Sequence, residues 1–189
     1  MILGLDVSTS CTGWSVLNQD ESLSGIGYIR LDKLKDVFSK AQEVERVISR
    51  IFIDHDIQHA FIEQNLQSFR SGFSSAQTLS TLARFNGMIS YIVYETTGIK
   101  PEFINVNLAR NRVGIKIEKE KKCGKSTKEQ VLHWVSNRLT NTDHQWPVKT
   151  LKSGPRKGQV VLETGCYDMA DAYVIARAGY HDLNNSAKK

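Results

Sequence analysis

The sequence predicts a single mixed α/β domain in which a five-stranded sheet is flanked by helices. Short apolar runs with strand-like alternation, longer segments with helical spacing of apolar residues, and three strands ahead of the first helix carry this prediction. At 189 residues the chain is long enough for one substantial core and short for two. We expect one domain over residues 1–182 and a flexible tail over residues 183–189.

The first three predicted strands follow one another closely. Ile2–Val7 is an apolar run, and Thr12–Asn18 is predicted to be its antiparallel partner across a short turn. Ser24–Leu31 continues as a third strand, with Ile26 and Tyr28 alternating to one face. An antiparallel start of this kind indicates a mixed sheet and argues against a doubly wound parallel one.

The middle of the chain alternates helices with two further strands. Apolar residues at helical spacing predict a helix from about Asp36 to Phe52, and a strand over His59–Glu63 follows. A long helix is predicted from about Ser75 to Thr96, with Gly98 just after its end. Pro101–Val106 is the fifth predicted strand.

The last third of the chain is predicted to hold two helices and a hairpin. The first helix covers Thr127–Leu139, with Ser126 or Thr127 as its N-cap. Between Trp146 and Thr164, a hairpin or flexible loop carries the basic tip Ser153–Gly158. The last helix is predicted from about Asp168 to Gly179.

Bulk composition fits a globular intracellular protein. The chain is 40% hydrophobic and 24% charged, and no run approaches the roughly 18 apolar residues that a membrane span needs. No basic leader precedes the first strand, so we expect no secretion. The three cysteines are far apart without a CxxC pair, which predicts free thiols in a reducing compartment. We therefore expect a cytoplasmic location and no membrane partner.

Positive charge is concentrated in one part of the chain. Residues 110–157 hold thirteen Lys and Arg against four acids, while the rest holds twelve against sixteen. The net charge of +5 thus combines a local +9 with a local −4. Such an asymmetry favours a polyanion as partner, although a solvated surface that only improves solubility is the alternative.

Four acidic residues stand where a divalent-metal site would need them. Asp6 and Glu63 each end an apolar strand, and Asp168 and Asp171 lie three apart near the start of a helix, on one face. Asp6 and Glu63 become neighbours if their strands pair in parallel. Buried carboxylates repel one another and are costly unless a cation compensates them. Two Mg²⁺ ions about 4 Å apart would do so and could promote phosphodiester hydrolysis.

Ordinary structural roles remain open for three of these acids. Asp6 could cap a turn at the end of its strand, and Asp168 could be a helix N-cap. Asp171 in the first turn could complement the helix dipole.

Taken together, the order of elements and the four acids resemble the RuvC family of Holliday-junction resolvases, within the ribonuclease-H-like superfamily. The resemblance extends from Ile2 to about Ala178. The segments that carry it are Ile2–Asp6, Thr12–Trp14, Ile62–Gln64 and Asp168–Ala172.

The resemblance implies a ribonuclease-H-like fold and a structure-selective DNA endonuclease that leaves 5′-phosphates. It implies two Mg²⁺ or Mn²⁺ ions per active site, with Asp6 bridging both and Glu63 and Asp171 holding one each. Asp168 would complete the shell or orient the water. Resolving a four-way junction needs two matched cuts, so a homodimer on branched DNA is expected.

The helix expected over residues 75–96 offers one possible dimer interface. Its apolar residues Ile89, Ile92 and Val93 fit such an interface, and packing in the protein's own core is an equal interpretation.

Residues of the basic region are expected to position the DNA backbone. The segment Ala109–Lys116 resembles the stretch before the family's basic helix, and Lys128 falls where the family carries a lysine important for DNA contact. A lysine at a helix N-terminus opposes the dipole, which favours a phosphate partner over a purely solvated charge. The expected backbone contacts are Arg110, Arg112, Lys116, Lys125 and Lys128.

A loop after the fourth strand is expected to touch the junction itself. The family's junction-probing aromatic follows the glutamate by a few residues, where this chain has Leu66, with Phe69 and Phe73 further along. Either phenylalanine could stack on an unpaired base beside Arg70, or could simply plug a surface loop.

The chain departs from the family pattern in two further places. The family commonly has Asp-Pro-Gly after the first strand, whereas this chain has Asp6-Val7-Ser8, which is closer to phage-type members. The hairpin between Trp146 and Thr164 resembles an insertion. Alternatives are a flap or RNA–DNA hybrid nuclease of the same fold, and a non-catalytic branched-DNA-binding protein. The stretch Gly4–Ser10 also resembles the first phosphate loop of actin- and sugar-kinase-like ATP-binding proteins, which need two such domains.

Overall fold

Five strands form the central sheet of the computed structural model, which describes residues 1–64 and 76–186. The sheet order is β3-β2-β1-β4-β5. The bounds are Ile2–Asp6 for β1, Cys11–Leu17 for β2, Leu23–Arg30 for β3, His59–Glu63 for β4 and Glu102–Ile104 for β5. β1 is antiparallel to β2 and parallel to β4, which in turn is parallel to β5. The predicted five-stranded mixed sheet is confirmed.

Helices cover both faces of this sheet, and a separate hairpin stands beside it. The helices are α1 (Val37–Asp54), α2 (Ala76–Thr97), α3 (Val106–Arg112), α4 (Glu120–Cys123), α5 (Thr127–Leu139) and α6 (Gly165–Ser186). The hairpin strands are β6 (Val148–Thr150) and β7 (Val160–Leu162). The basic-tipped segment after α5 is therefore a hairpin.

Local signals in the sequence account for most helix ends. The Asp36 side chain accepts hydrogen bonds from the backbone N–H groups of Phe38 and Ser39, and so caps α1. Ser126 and Glu129 form a reciprocal capping box at the start of α5. Gly98, with φ of 70°, follows α2 in the left-handed region that glycine tolerates best.

Two predicted elements have different bounds in the structure, and two short helices were not predicted. The fifth strand is shorter than residues 101–106, because Asn105 caps α3 through the backbone N–H groups at positions 107 and 108. The sequence analysis missed both α3 and the four-residue α4. The last helix begins at Gly165 and continues to Ser186, so the expected end at Gly179 was too early.

Alternation along β1 divides the core into two layers. Leu3 and Leu5 pack with α1 and α2 on one side of the sheet, whereas Ile2 packs with α3, α5 and α6 on the other. On α2, Ile89 and Val93 are fully buried in the first layer, and Ile92 packs against it. The proposed interface residues of this helix therefore belong to the protein's own core.

Two glycines let α6 lie unusually close to the sheet. A Cβ at Gly4 would overlap the backbone at Ala172 and Ala176, and a Cβ at Gly13 would overlap the backbone carbonyl of Asp168. Because β1 and β2 pair at Asp6 and Gly13, this contact brings the first turns of α6 over the end of β1.

Two bulk expectations can be compared with the structure. Cys11, Cys123 and Cys166 are free thiols. Over residues 1–64 and 76–186, the helices all fall short of the length and apolar character that crossing a membrane requires.

Candidate active site

Asp6 and Glu63 end neighbouring parallel strands on the same side of the sheet. β1 and β4 pair in register from Ile2 with His59 to Leu5 with Ile62, so the two acids come next on each strand. Side chains alternate along a strand, and Gly4 and Phe61, two residues earlier, both contact α6. Both carboxylates therefore belong to the side of the sheet that α6 covers.

Asp168 and Asp171 reach the same place from α6. They are the fourth and seventh residues of this helix, so they share one face. Asp168 lies against Gly13, the partner of Asp6 across the β1–β2 pair. The side chain of Asp171 is 7% exposed, which places it on the inner face of the helix.

Asp6, Glu63, Asp168 and Asp171 lie close enough together for their charges to interact, and we call these four residues the acidic cluster. Burial raises the pKa of Asp6 well above its usual range, and Glu63, Asp171 and Asp168 raise it further. Burial and the charge of Asp171 raise the pKa of Glu63 to about 7. Burial also raises the pKa of Asp171, against the opposing effect of Arg110. Each shift reflects a carboxylate that lacks full compensation for its charge.

Two cations stand among these carboxylates. The Arg110 Nη2 lies 3.2 Å from Asp171 Oδ1, and this side chain is only 15% exposed. The Lys128 Nζ lies 3.6 Å from Asp168 Oδ1, and its side chain is 60% exposed. Burial alone would lower the pKa of Lys128, but the charges of Asp168, Asp171 and Asp6 raise it. Lys128 therefore has an acidic partner within the protein besides any phosphate.

The acidic cluster fits a divalent cation by its chemistry. Its donors are hard carboxylate oxygens, and their raised pKa values mark a deficit of positive charge that such an ion would relieve. As the side chains stand, no three His, Cys, Asp or Glu in residues 1–64 and 76–186 are gathered tightly enough to ligate one. Arg110 and Lys128 hold two of the four acids instead. Asp6 and Glu63 are the acids without such a partner in the described part of the chain.

One positioning residue escaped the sequence analysis. Asn86, on α2, is 3% exposed and donates a hydrogen bond from Nδ2 to the backbone oxygen of Glu63 at 3.1 Å. It thereby fixes the end of β4 that carries the glutamate. The available signal was a polar residue between Phe85 and Ile89, on the face of α2 that turns to the core.

The expected DNA-contact residues other than Lys128 divide into three groups. Lys116 and Lys125 are exposed. Arg110 is largely buried and pairs with Asp171, and Arg112 pairs with Asp182 on the neighbouring helix. Phe69, Arg70 and Phe73 lie outside the residues that the structure describes. Contact with DNA stays a prediction for all of these residues.

Sheet order, helices on both faces and acids from β1, β4 and α6 define a ribonuclease-H-like α/β fold. Solved structures that share it include Thermus thermophilus RuvC, alone and in complex with a Holliday junction substrate. Both have a TM-score of 0.62, with 12% and 14% identity, and the matches cover 98% and 97% of this chain and 96% and 94% of those chains.

The yeast mitochondrial Holliday junction resolvase Ydc2 matches as well. Its TM-score is 0.55 at 15% identity, over 99% of this chain and 80% of that one. No protein-family model matches the sequence, and a search of curated proteins gives no significant match. At these identities the likeness establishes the fold, which agrees with the fold class expected from the sequence.

Proposed function

We propose that this protein is a divalent-metal-dependent endonuclease that resolves four-way DNA junctions. The observation that carries the proposal is the acidic cluster itself, in which acids from β1, β4 and α6 converge and raise one another's pKa. A site that only had to be stable would not gather buried carboxylates such as Asp6, Glu63 and Asp171 with incomplete compensation of their charge. The shared fold with solved junction resolvases supports the same class of substrate.

The basic region supports DNA as the partner. Residues 110–157 carry a local charge of +9, and this segment includes α5, whose Lys128 reaches the acidic cluster. A polyanion held on such a surface would have its backbone delivered to the carboxylates.

Each member of the site has a role in this proposal. Mg²⁺ or Mn²⁺, two per site, would supply the charge that activates water and stabilises the leaving oxygen. Asp6, Glu63, Asp168 and Asp171 would hold the ions. Arg110 fixes the side chain of Asp171 from α3.

Lys128 is suited to orient the scissile phosphate. Its side chain is long and mostly exposed, so it can exchange Asp168 for a phosphate oxygen when DNA binds. Its raised pKa keeps it protonated for this task.

The decisive experiment compares wild type with Asp6→Asn on labelled four-way junction, flap, duplex and RNA–DNA hybrid, with and without Mg²⁺. We expect paired nicks that leave 5′-phosphates on the junction in Mg²⁺ only. We expect Asp6→Asn to reduce cleavage at least about 100-fold. It should keep or improve junction binding, because it removes negative charge next to the phosphate. Asp54→Asn, at the exposed end of α1, is the matched control and should cut normally.

Other outcomes would change the assignment. Equal cutting of flaps or hybrids would replace junction resolution with a broader nuclease. Tight binding without cutting in any divalent ion would indicate a non-catalytic branched-DNA-binding protein. Loss of binding in a folded Asp6→Asn protein would contradict the role given to Asp6.

Two matched cuts on one junction are best made by a symmetric dimer, and we propose a homodimer as the active assembly. Light scattering on the chromatographed protein should give about twice the chain mass of 21.3 kDa, at least with junction bound. A monomer that makes both cuts within one binding event would contradict this assembly.

A further inference from the structure

A cavity of about 470 Å³ opens directly beside the acidic cluster. Asp168 and Lys128 line it on the side of the cluster, Asp32 lies just after β3, and Lys149 enters from β6 of the hairpin. Its volume lies within the roughly 300–1,000 Å³ of small-ligand pockets. It can therefore accommodate one nucleotide-sized group next to the candidate catalytic acids.

Among the cations that line this cavity, Lys149 is the one outside the ion pairs of the described part of the chain, although its charge acts on the Glu163 carboxylate. Arg30 pairs with Glu163, and Lys128 pairs with Asp168. Lys149 makes no ion pair within 4.0 Å in the part of the chain that the structure describes. Its ammonium group on a flexible stem is suited to bind a phosphate as a point charge.

The hairpin is joined to the sheet at this cavity. Glu163, just after β7, accepts a hydrogen bond from the Tyr28 hydroxyl at 2.7 Å and pairs with Arg30, both on β3. The Tyr28 ring packs so closely on Gly165 that a Cβ there would overlap it. These contacts with β3 hold the hairpin, and with it Lys149, at a fixed place beside the start of α6.

Two aromatic side chains complete the wall. Tyr28 and Tyr167 both line the cavity. Aromatic rings beside a basic group are a common platform for single nucleotides, because they pack against bases and sugars whatever the sequence. A cation, aromatic rings and the acidic cluster thus border one space.

We infer that this cavity binds the nucleotide adjacent to the cleaved phosphodiester bond, with Lys149 holding its phosphate and the tyrosines packing against its sugar and base. The inference rests on the proposed nuclease function. In this role the hairpin aligns the DNA strand, so the hairpin contributes to the site and not only to the surface.

The test uses four-way junctions that carry a single neutral methylphosphonate, moved one position at a time on either side of the cut made by wild type. Binding is measured in the Asp6→Asn protein, and again after adding Lys149→Gln or the control Lys152→Gln. Lys152 lies in the same hairpin but does not line the cavity. The neutral group removes one phosphate charge without changing the rest of the DNA.

We expect one methylphosphonate next to the cut to weaken binding about fivefold, and Lys149→Gln to abolish that penalty while Lys152→Gln keeps it. A purely structural role of Lys149 would lower binding equally at all positions. The inference is overturned if the penalty persists in Lys149→Gln or if no adjacent position shows one. Failure of wild type to cut the unmodified junction would instead refute the nuclease function on which the inference depends.

Discussion

Arg110 connects the acidic cluster to a helix that the sequence analysis did not detect. Its guanidinium is largely buried against Asp171, and its Nε has no hydrogen-bond partner in the described part of the chain. A buried pair of this kind becomes costly when one member is lost, because the remaining charge stays out of water. Arg110 therefore holds the cluster together in the absence of metal.

We expect Arg110→Gln to lower the free energy of unfolding by about 3–5 kcal/mol in EDTA. Arg112→Gln, which breaks a more exposed pair with Asp182, should cost only about 0–1 kcal/mol. Urea unfolding of both variants measures the difference. Saturating Mg²⁺ should recover part of the loss in Arg110→Gln, since the vacated charge strengthens ion binding. Equal costs for the two variants would contradict the special role of Arg110.

The raised pKa of Glu63 predicts a pH dependence of stability without divalent ions. Its pKa rises from an ordinary 4.5 to about 7 in the folded protein, so the folded state holds this proton more tightly. The resulting stabilisation is complete below about pH 4.5 and is lost as pH rises through about 7. The raised pKa values of Asp6 and Asp171 act in the same direction.

The expected loss from Glu63 is on the order of 1–3 kcal/mol, or roughly 2–10 °C in melting temperature. Melting in EDTA at about pH 5 and about pH 8, for wild type and Glu63→Gln, isolates this contribution from surface groups. The variant should lose less stability at the higher pH. Glu45→Gln, on the exposed side of α1, should behave like wild type. If the stability of Glu63→Gln changed with pH as much as that of wild type, the raised pKa of Glu63 would be refuted.

At the scale of elements, the close packing of α6 against the sheet depends on glycines, which have no side chain to keep the helix backbone away. Gly13→Ala should lower the free energy of unfolding by about 3 kcal/mol or more. The new methyl group would overlap the α6 backbone at Asp168, which belongs to the acidic cluster. Gly87→Ala on α2 is the matched control, with open space around it, and should stabilise by about 0.5–1 kcal/mol. Thermal unfolding distinguishes the two. A Gly13→Ala protein as stable as wild type would mean that α6 can shift without penalty.

Strands and long helices could be predicted because their signals are local. The apolar run over Ala60–Ile62 predicted β4 with its true bounds, and the Ser126 cap predicted the start of α5. α3 was missed because a seven-residue helix offers little periodicity, although Asn105 was a usable cap signal. Arg110 and Asp171, which form an ion pair, lie 61 residues apart in sequence, and the cavity at Lys149 is lined by several elements. Contacts of that range leave no local pattern.

At the scale of the whole molecule, the separation of charge predicts a strong salt dependence of DNA binding. If about four phosphates are neutralised, junction affinity should fall roughly 100-fold between about 50 and about 200 mM salt. Lys116→Gln and Lys125→Gln should each reduce by about one the slope of the logarithm of affinity against the logarithm of salt concentration. Lys35→Gln, outside the basic region, is the control. Fluorescence anisotropy on the Asp6→Asn protein measures these slopes, and unchanged slopes for both basic-region variants would contradict the assigned surface.

The acids come from the first strand, the fourth strand and the last helix, and α6 is also the helix that packs across β1, β2 and β4. A chain still emerging from the ribosome therefore has Asp6 and Glu63 before Asp168 and Asp171 are made. On the proposed function, hydrolysis would require α6 to be synthesised and docked against the sheet. A nascent chain that lacks α6 would thus be inactive on DNA.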